Sequence, residues 1–174
     1  MISETSKRMI SQELLASVGL VVFDFDGVFT DNSVYVTQDG VESVRCWRSD
    51  GLGITRLHNI DVKTFIISTE INPVVTARAK KMKIPCKQGI EDKAASILET
   101  CQELCIPPDK TMFVGNDVND IRGFQSIGIP VAVFDAYPEV YPHVIFRTKT
   151  KGGMGAVREI CDLIFQAKQA TNQV

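Results

Sequence analysis

The stretch GLVVFDFDGVFTD, residues 19–31, governs how the rest of the chain is read. A short apolar run rich in β-branched residues passes directly into Asp24, Asp26 and Gly27. Such a run, bounded by polar and turn-forming residues, predicts a buried strand that ends in a polar loop. Two carboxylates then stand just past a strand's carboxyl end. The same grammar recurs downstream. VKTFII at 62–67 predicts a second core strand, followed by Ser68, Thr69 and Glu70. TMFVG at 111–115 predicts a third, followed by Asn116, Asp117, Asn119 and Asp120. PVAVF at 130–134 and VIF at 144–146 read as a fourth and a fifth.

Between these strands the apolar period becomes helical. A helix is expected from Asp50, with Ile54 and Leu57 on one face. Pro73 falls near the first turn of the next helix, VVTARAKKMK, where its missing N–H costs nothing. Residues 91–105 place Ala94, Ile97, Leu98, Cys101 and Leu104 at helical spacing; Lys93 opens that helix and Pro107-Pro108 stop it. VNDIRGFQSIG, ended by Gly128, and residues 155–168 supply two more. Strands alternating with helices predict an α/β fold, a Rossmann-like three-layer sandwich around a mostly parallel sheet. Ligands in such folds bind beyond the carboxyl ends of the strands.

One segment breaks the alternation. SVYVTQ and VESVRCW flank Asp39-Gly40, which predicts a β-hairpin over 33–47 with a two-residue type I′ turn. With Gln38 opposite Val41, one face carries Val34, Val36 and Val41, and the other carries Tyr35, Val44 and Cys46. Apolar residues on both faces suggest that both are at least partly covered, for example by another subunit.

A length of 174 residues favours one domain, placed at 18–170, with residues 1–17 as a leader or short helix. Lys+Arg 19 against Asp+Glu 21 gives a net charge of -2, so a bulk basic footprint for nucleic acid is absent. No apolar run approaches the ~20 residues of a membrane span, and the N-terminus lacks the apolar core of a secretory signal. A cytoplasmic protein is expected. The five cysteines, Cys46, Cys86, Cys101, Cys105 and Cys161, form no C-x-x-C pair, and only two histidines accompany them. Buried reduced thiols are expected rather than a zinc site.

Carboxylates, a hydroxyl and a lysine thus gather at one edge of the inferred sheet. Carboxylate and carbonyl oxygens suit Mg²⁺. Lysine can neutralise a phosphate, and an Asp carboxylate can itself attack phosphorus to give an aspartyl-phosphate.

DFDGVFTD, the Ser after the second strand, Lys93 and GNDVND together resemble the haloacid dehalogenase superfamily of phosphohydrolases. DGVFTD, the hairpin, RSDGLGI at 48–54, QGIEDK at 88–93 and GGMGAVRE at 152–159 extend the likeness to one cap-less subfamily. It comprises 3-deoxy-D-manno-octulosonate 8-phosphate phosphatases, nonulosonate 9-phosphate phosphatases and the phosphatase-like domain of some sialic acid cytidylyltransferases. The resemblance covers about residues 18–165. It implies Asp24 as nucleophile, and Asp26 as the acid and base whose backbone carbonyl also binds Mg²⁺. It further implies Ser68 as a phosphoryl donor and Lys93 as the charge balance. Arg48, Thr69, Glu70 and Arg78 fall at positions near the sugar, with Arg78 suited to a carboxylate. The metal set implied is Asp24, Asp26 and Asn116, with Asp117 or Asp120 available as metal ligands to make up the missing charge. The resemblance also implies a homotetramer with shared active sites, in which the GGMGAVRE segment can reach a neighbouring subunit.

Two positions depart from the family pattern. Asn116 stands where Asp usually binds the metal; an amide oxygen can still bind a cation but adds no charge. Thr69 stands where Gly is common, and Thr cannot take a positive φ as cheaply. A second reading therefore stays open: a degenerate phosphatase-like domain serving oligomerisation or binding beside a cytidylyltransferase. Simpler roles are also available. Ser68 and Thr69 could cap the helix after Pro73, and Glu70 and Arg78, two turns apart, could share a helical face as an ion pair.

Overall fold

Leu20–Phe23 form strand β1, buried at every position. In the computed structural model, which describes residues 10–171, this strand is preceded by helix α1 (Gln12–Ser17). It is followed by the hairpin strands β2 (Thr30–Val36) and β3 (Glu42–Cys46). Next come α2 (Asp50–His58), β4 (Lys63–Ile67), α3 (Val74–Met82) and β5 (Cys86–Lys87). The chain continues with α4 (Lys93–Glu103), β6 (Thr111–Gly115), α5 (Ile121–Gln125), β7 (Ile129–Ala132), β8 (Phe146–Arg147) and α6 (Ala156–Thr171).

The main sheet runs β5-β4-β1-β6-β7-β8, and every pairing in it is parallel. That explains why β1, β6 and β7 read as continuous apolar runs: helices cover both faces of a parallel sheet. Helices α1 and α2 both pack on α6, and α4 packs on α5, giving the two outer layers. From β1 the chain builds outward through β4 to β5. It then returns to the other side of β1 and builds through β6 to β8. The reversal falls beside β1, and the crevice at that switch point is where this topology holds ligands.

The structure adds a sixth strand to the five expected. β5 has only two residues, too few to show any periodicity. The VNDIRGFQSIG stretch opens as a 3₁₀ turn, Val118–Asp120, before α5 begins. Leu98 and Leu104 are about a third exposed; the buried face of α4 is instead Lys93, Ser96, Ile97, Thr100 and Cys101.

The hairpin forms, but with a different turn. Thr37 N donates to Val41 O (3.0 Å) and Gly40 N to Thr37 O (2.9 Å), so three residues, 38–40, make the loop. Gly40 takes φ 79°, the left-handed residue that closes a three-residue loop. Thr37 Oγ1 also accepts from Val41 N (3.1 Å). The register therefore slips by one: Val34 pairs with Val44 and Val36 with Glu42. Val44 joins the face of Val34 and Val36, while Val41 moves to that of Tyr35. Val34, Tyr35, Val36 and Val41 are all more than half exposed in the single chain.

All five cysteines are free; Cys101 and Cys161 are buried, Cys46 and Cys86 half-buried, and Cys105 exposed, against the expectation of burial. Residues 1–9 of the expected leader lie outside the described residues. Among the described residues no helix is long and apolar enough to cross a membrane.

Candidate active site

The loop leaving β1 is held by its own apolar residues. Phe25 and Phe29 are fully buried and stacked, with ring centroids 5.9 Å apart, and Phe23 meets Phe29 edge-on. The intervening aspartates are thereby turned the other way. Asp24 N donates to Val114 O (2.9 Å), tying the loop to β6. Gly27 has φ +76°, and a Cβ there would overlap the Asn116 side-chain amide, so the close approach needs glycine. Thr30, buried, accepts from Gly27 N through Oγ1 (3.1 Å).

Opposite this loop stands Lys93, the first residue of α4. Asp92 caps that helix by accepting from Ala95 N (3.1 Å). The Lys93 ammonium is buried, 2.9 Å from Asp24 Oδ1 and 2.6 Å from Asp120 Oδ1. The second oxygen of Asp120 accepts from Asn116 N (2.8 Å) and Asp117 N (3.2 Å). Asp120 thus orders the loop after β6, with both oxygens engaged. Asp117 turns its carboxylate to Val118 N (2.7 Å). Asn116 is buried, and its Oδ1 has no hydrogen-bond partner.

Burial pushes the Asp24 carboxyl up to about 7; Asp120 adds to the rise and Lys93 opposes it. Asp26, half-buried, is raised first by burial and then by Glu70, with Lys93 opposing and Glu42 adding. Burial disfavours the Lys93 ammonium, but Asp24 and Asp120 outweigh it and hold its pKa above the ordinary value.

Ser68, after β4, is buried and its Oγ accepts from Glu70 N (3.1 Å), which leaves its hydroxyl hydrogen free to donate. Thr69 is exposed and is not among the residues with positive φ, so its Cβ is accommodated. Glu70 lies before α3, not on it. Its Oε1 accepts from Ile71 N and Asn72 N, both at 2.7 Å, in a turn ahead of the helix, which starts at Val74 as expected. Glu70 and Arg78 therefore share no helical face. Arg78 Nη2 donates to Trp47 O (3.0 Å), and its Nε is buried without a partner. Arg48 is exposed.

A cleft of about 240 Å³ opens beside Asp26. Asn32, Glu42, Glu70 and Asn72 line it together with Val34, Val44 and Val74. Asn32, Glu42 and Asn72 were not foreseen from sequence; the correct hairpin register, pairing Glu42 with Val36, would have pointed to Glu42.

The GGMG segment, which the resemblance allowed to reach a neighbour, lies against the loop that follows β1 in its own chain. Gly153 N donates to Val28 O (3.0 Å), and Gly152 N to Asp135 Oδ1 (2.9 Å). A Cβ on Gly152 would overlap the Gly27 carbonyl oxygen.

The oxygens around the loop fit a hard divalent cation. Asp24 offers a carboxylate, Asp26 a backbone carbonyl, and Asn116 an unpartnered buried oxygen that needs a donor or a cation. Among the described residues no three His, Cys, Asp or Glu side chains group as a metal cluster, so amide and backbone oxygens have to complete the set.

Residues 74–160 match the family model for haloacid dehalogenase-like hydrolases. The 3-deoxy-D-manno-octulosonate 8-phosphate phosphatase KdsC of Yersinia pestis is 34% identical over 88% of this chain and 82% of its own. The solved Yersinia pestis phosphatase of that name superposes with a TM-score of 0.88 at 33% identity, covering 92% of this chain and 88% of the other. The corresponding enzyme from Moraxella catarrhalis, in complex with magnesium, phosphate and KDO, gives a TM-score of 0.87 at 26% identity, covering 93% and 94%.

Proposed function

The chain belongs to the haloacid dehalogenase-like hydrolases, and from that premise we propose that it is a Mg²⁺-dependent phosphatase of a phosphorylated 3-deoxy-ulosonic sugar acid. Octulosonate 8-phosphate and nonulosonate 9-phosphate are the candidate substrates. The observation that carries this reading is the buried Lys93 ammonium, 2.9 Å from Asp24 Oδ1 and beside the Asp26 loop. A carboxylate nucleophile and a phosphate repel each other, and a fixed buried cation offsets that repulsion as charge shifts in an in-line displacement.

In this reading Asp24 attacks phosphorus and forms an aspartyl-phosphate. Asp26 donates a proton to the leaving sugar oxygen, then takes one from the water that hydrolyses the phospho-enzyme. Its raised pKa suits the acid half of that role. Ser68 donates its free hydroxyl hydrogen to a phosphoryl oxygen. Asp24, the Asp26 carbonyl and Asn116 would hold Mg²⁺, which when bound would supply charge neutralisation at the phosphoryl group. Asp117 and Asp120 support that site through the loop after β6. Arg48, Thr69, Glu70 and Arg78 ring the sugar, whose hydroxyls enter the cleft beside Asp26. The exposed apolar hairpin serves assembly into a cytoplasmic homotetramer with shared active sites.

The test is phosphate release by the purified chain with Mg²⁺ from octulosonate 8-phosphate, nonulosonate 9-phosphates and simple sugar phosphates. Release from a sugar-acid phosphate, with Asp24→Asn reduced by ~10³-fold or more, is the expected result. No release from any of them, or equal release by Asp24→Asn, overturns the reading in favour of a non-catalytic binding domain.

A further inference from the structure

The oxygens available to a cation carry little negative charge, and each reason is local. Asp120, the fully buried carboxylate of the loop after β6, has one oxygen on Lys93 and the other on two backbone amides. Asp24 shares the same ammonium at 2.9 Å. Two carboxylates and one lysine leave this buried group with one net negative charge. Asp117 turns its carboxylate to Val118 N, and the remaining side-chain donor, Asn116, is neutral. It is also fixed: its N–H is held by Asp120, and the Cα of Gly27 packs against its amide. Its Oδ1 is buried and unpartnered, an acceptor with geometry but no charge.

A small hard dication bound by so few protein charges keeps most of its waters and completes its shell with phosphate oxygens. We propose that this chain holds its divalent cation and a phosphate group as a mutually dependent pair, each weakly bound alone, and that Asn116 sets this dependence. The proposal rests on the phosphatase reading for the identity of the site, but not on turnover. An Asp at this position would retain the cation by itself and would meet the phosphate with a further negative charge. The neutral amide does neither, so the phosphate supplies the charge that the protein withholds. By linkage, whatever factor phosphate adds to cation affinity, the cation adds to phosphate affinity.

Isothermal titration of the full chain with Mg²⁺ alone, with inorganic phosphate alone, and with each in the presence of the other tests this directly. In the natural protein, saturating phosphate is expected to tighten Mg²⁺ binding by ~10- to 100-fold, with the same factor in the reciprocal titration. Asn116→Asp is expected to bind Mg²⁺ alone ~10-fold or more tightly than the natural chain, with a smaller coupling factor. Asn116→Ala removes the oxygen and is expected to weaken Mg²⁺ binding to the phosphate-saturated protein by ~10-fold or more. Thermal unfolding checks that both variants fold. Mg²⁺ affinity that ignores phosphate, or an unchanged coupling factor in Asn116→Asp, overturns the proposal. So does unchanged Mg²⁺ affinity in Asn116→Ala. Coupled binding without cleavage of any phosphate ester would sink the catalytic reading and leave this one standing; cleavage with uncoupled binding would do the reverse.

Discussion

Lys93 Nζ lies 2.9 Å from Asp24 Oδ1, with both side chains withdrawn from solvent. Asp120 shares the ammonium at 2.6 Å, so removing the lysine strands two buried carboxylates. Lys93→Met is expected to abolish phosphate release and to lower the unfolding free energy by about 3–5 kcal/mol. Combining it with Asp120→Asn relieves one stranded charge. The double variant should then be more stable than the sum of the two single losses predicts. Urea denaturation of the four proteins measures this, and strict additivity would show that Lys93 and Asp120 do not act as a unit.

The backbone of Gly152 rests against the carbonyl of Gly27, one residue past Asp26. A methyl group there has no side chain to displace, only backbone. Gly152→Ala is expected to cost about 1–3 kcal/mol of stability. It should also lower kcat more than it raises KM, because the loop that carries Asp26 has to shift. An unaltered kcat with the stability loss present would mean that the contact is structural only.

Asp50 opens α2, is fully buried, and accepts from Arg158 N (3.1 Å) at the start of α6; its second oxygen has no partner. Burial pushes its pKa from 3.8 up to about 7, opposed by the Arg158 amide and by the charges of Arg78 and Arg158. The folded protein therefore binds this proton more tightly than the unfolded chain. The stability it supplies is present at acid pH and lost as pH rises through about 7. Thermal and urea unfolding across that window should show Asp50→Asn gaining relative to the natural chain as pH rises, at on the order of 1 kcal/mol per pH unit. A difference independent of pH would place the titration elsewhere.

Tyr35 and Val41 lie on the hairpin face away from the Val34–Val44 pair that lines the cleft, and both are more than half exposed. Tyr35→Glu with Val41→Glu is expected to shift the sedimentation coefficient to that of a single chain. Each exposed substitution should change monomer stability by no more than about 0.5 kcal/mol. An unchanged sedimentation profile would remove the hairpin from the assembly.

Much of the fold was legible because β1, β4 and β6 are buried along nearly their whole length, and burial on both faces writes a continuous apolar run. The residues after them were legible for the same reason: a strand that stops at Asp24, Ser68 or Asn116 announces its own edge. What stayed hidden depended on contacts between distant segments. The hairpin register turned on Thr37 taking Val41 N into a three-residue loop. That Glu70 stands off α3 turned on its carboxylate being spent on the amides ahead of it. The seat of Gly152 depended on Gly27, 125 positions earlier in the numbering of the chain.

The place of β1 in the sheet has a dynamic consequence. Each of its four residues is matched on one side by β4 and on the other by β6, whereas the marginal strands β5 and β8 have two residues apiece. Local breathing begins where pairing is short. The margins can fray and reseal while the strand that delivers Asp24 stays clamped, so its amide hydrogens are expected to be among the last to exchange with solvent. The carboxylate proposed as nucleophile would keep its address through every lesser fluctuation.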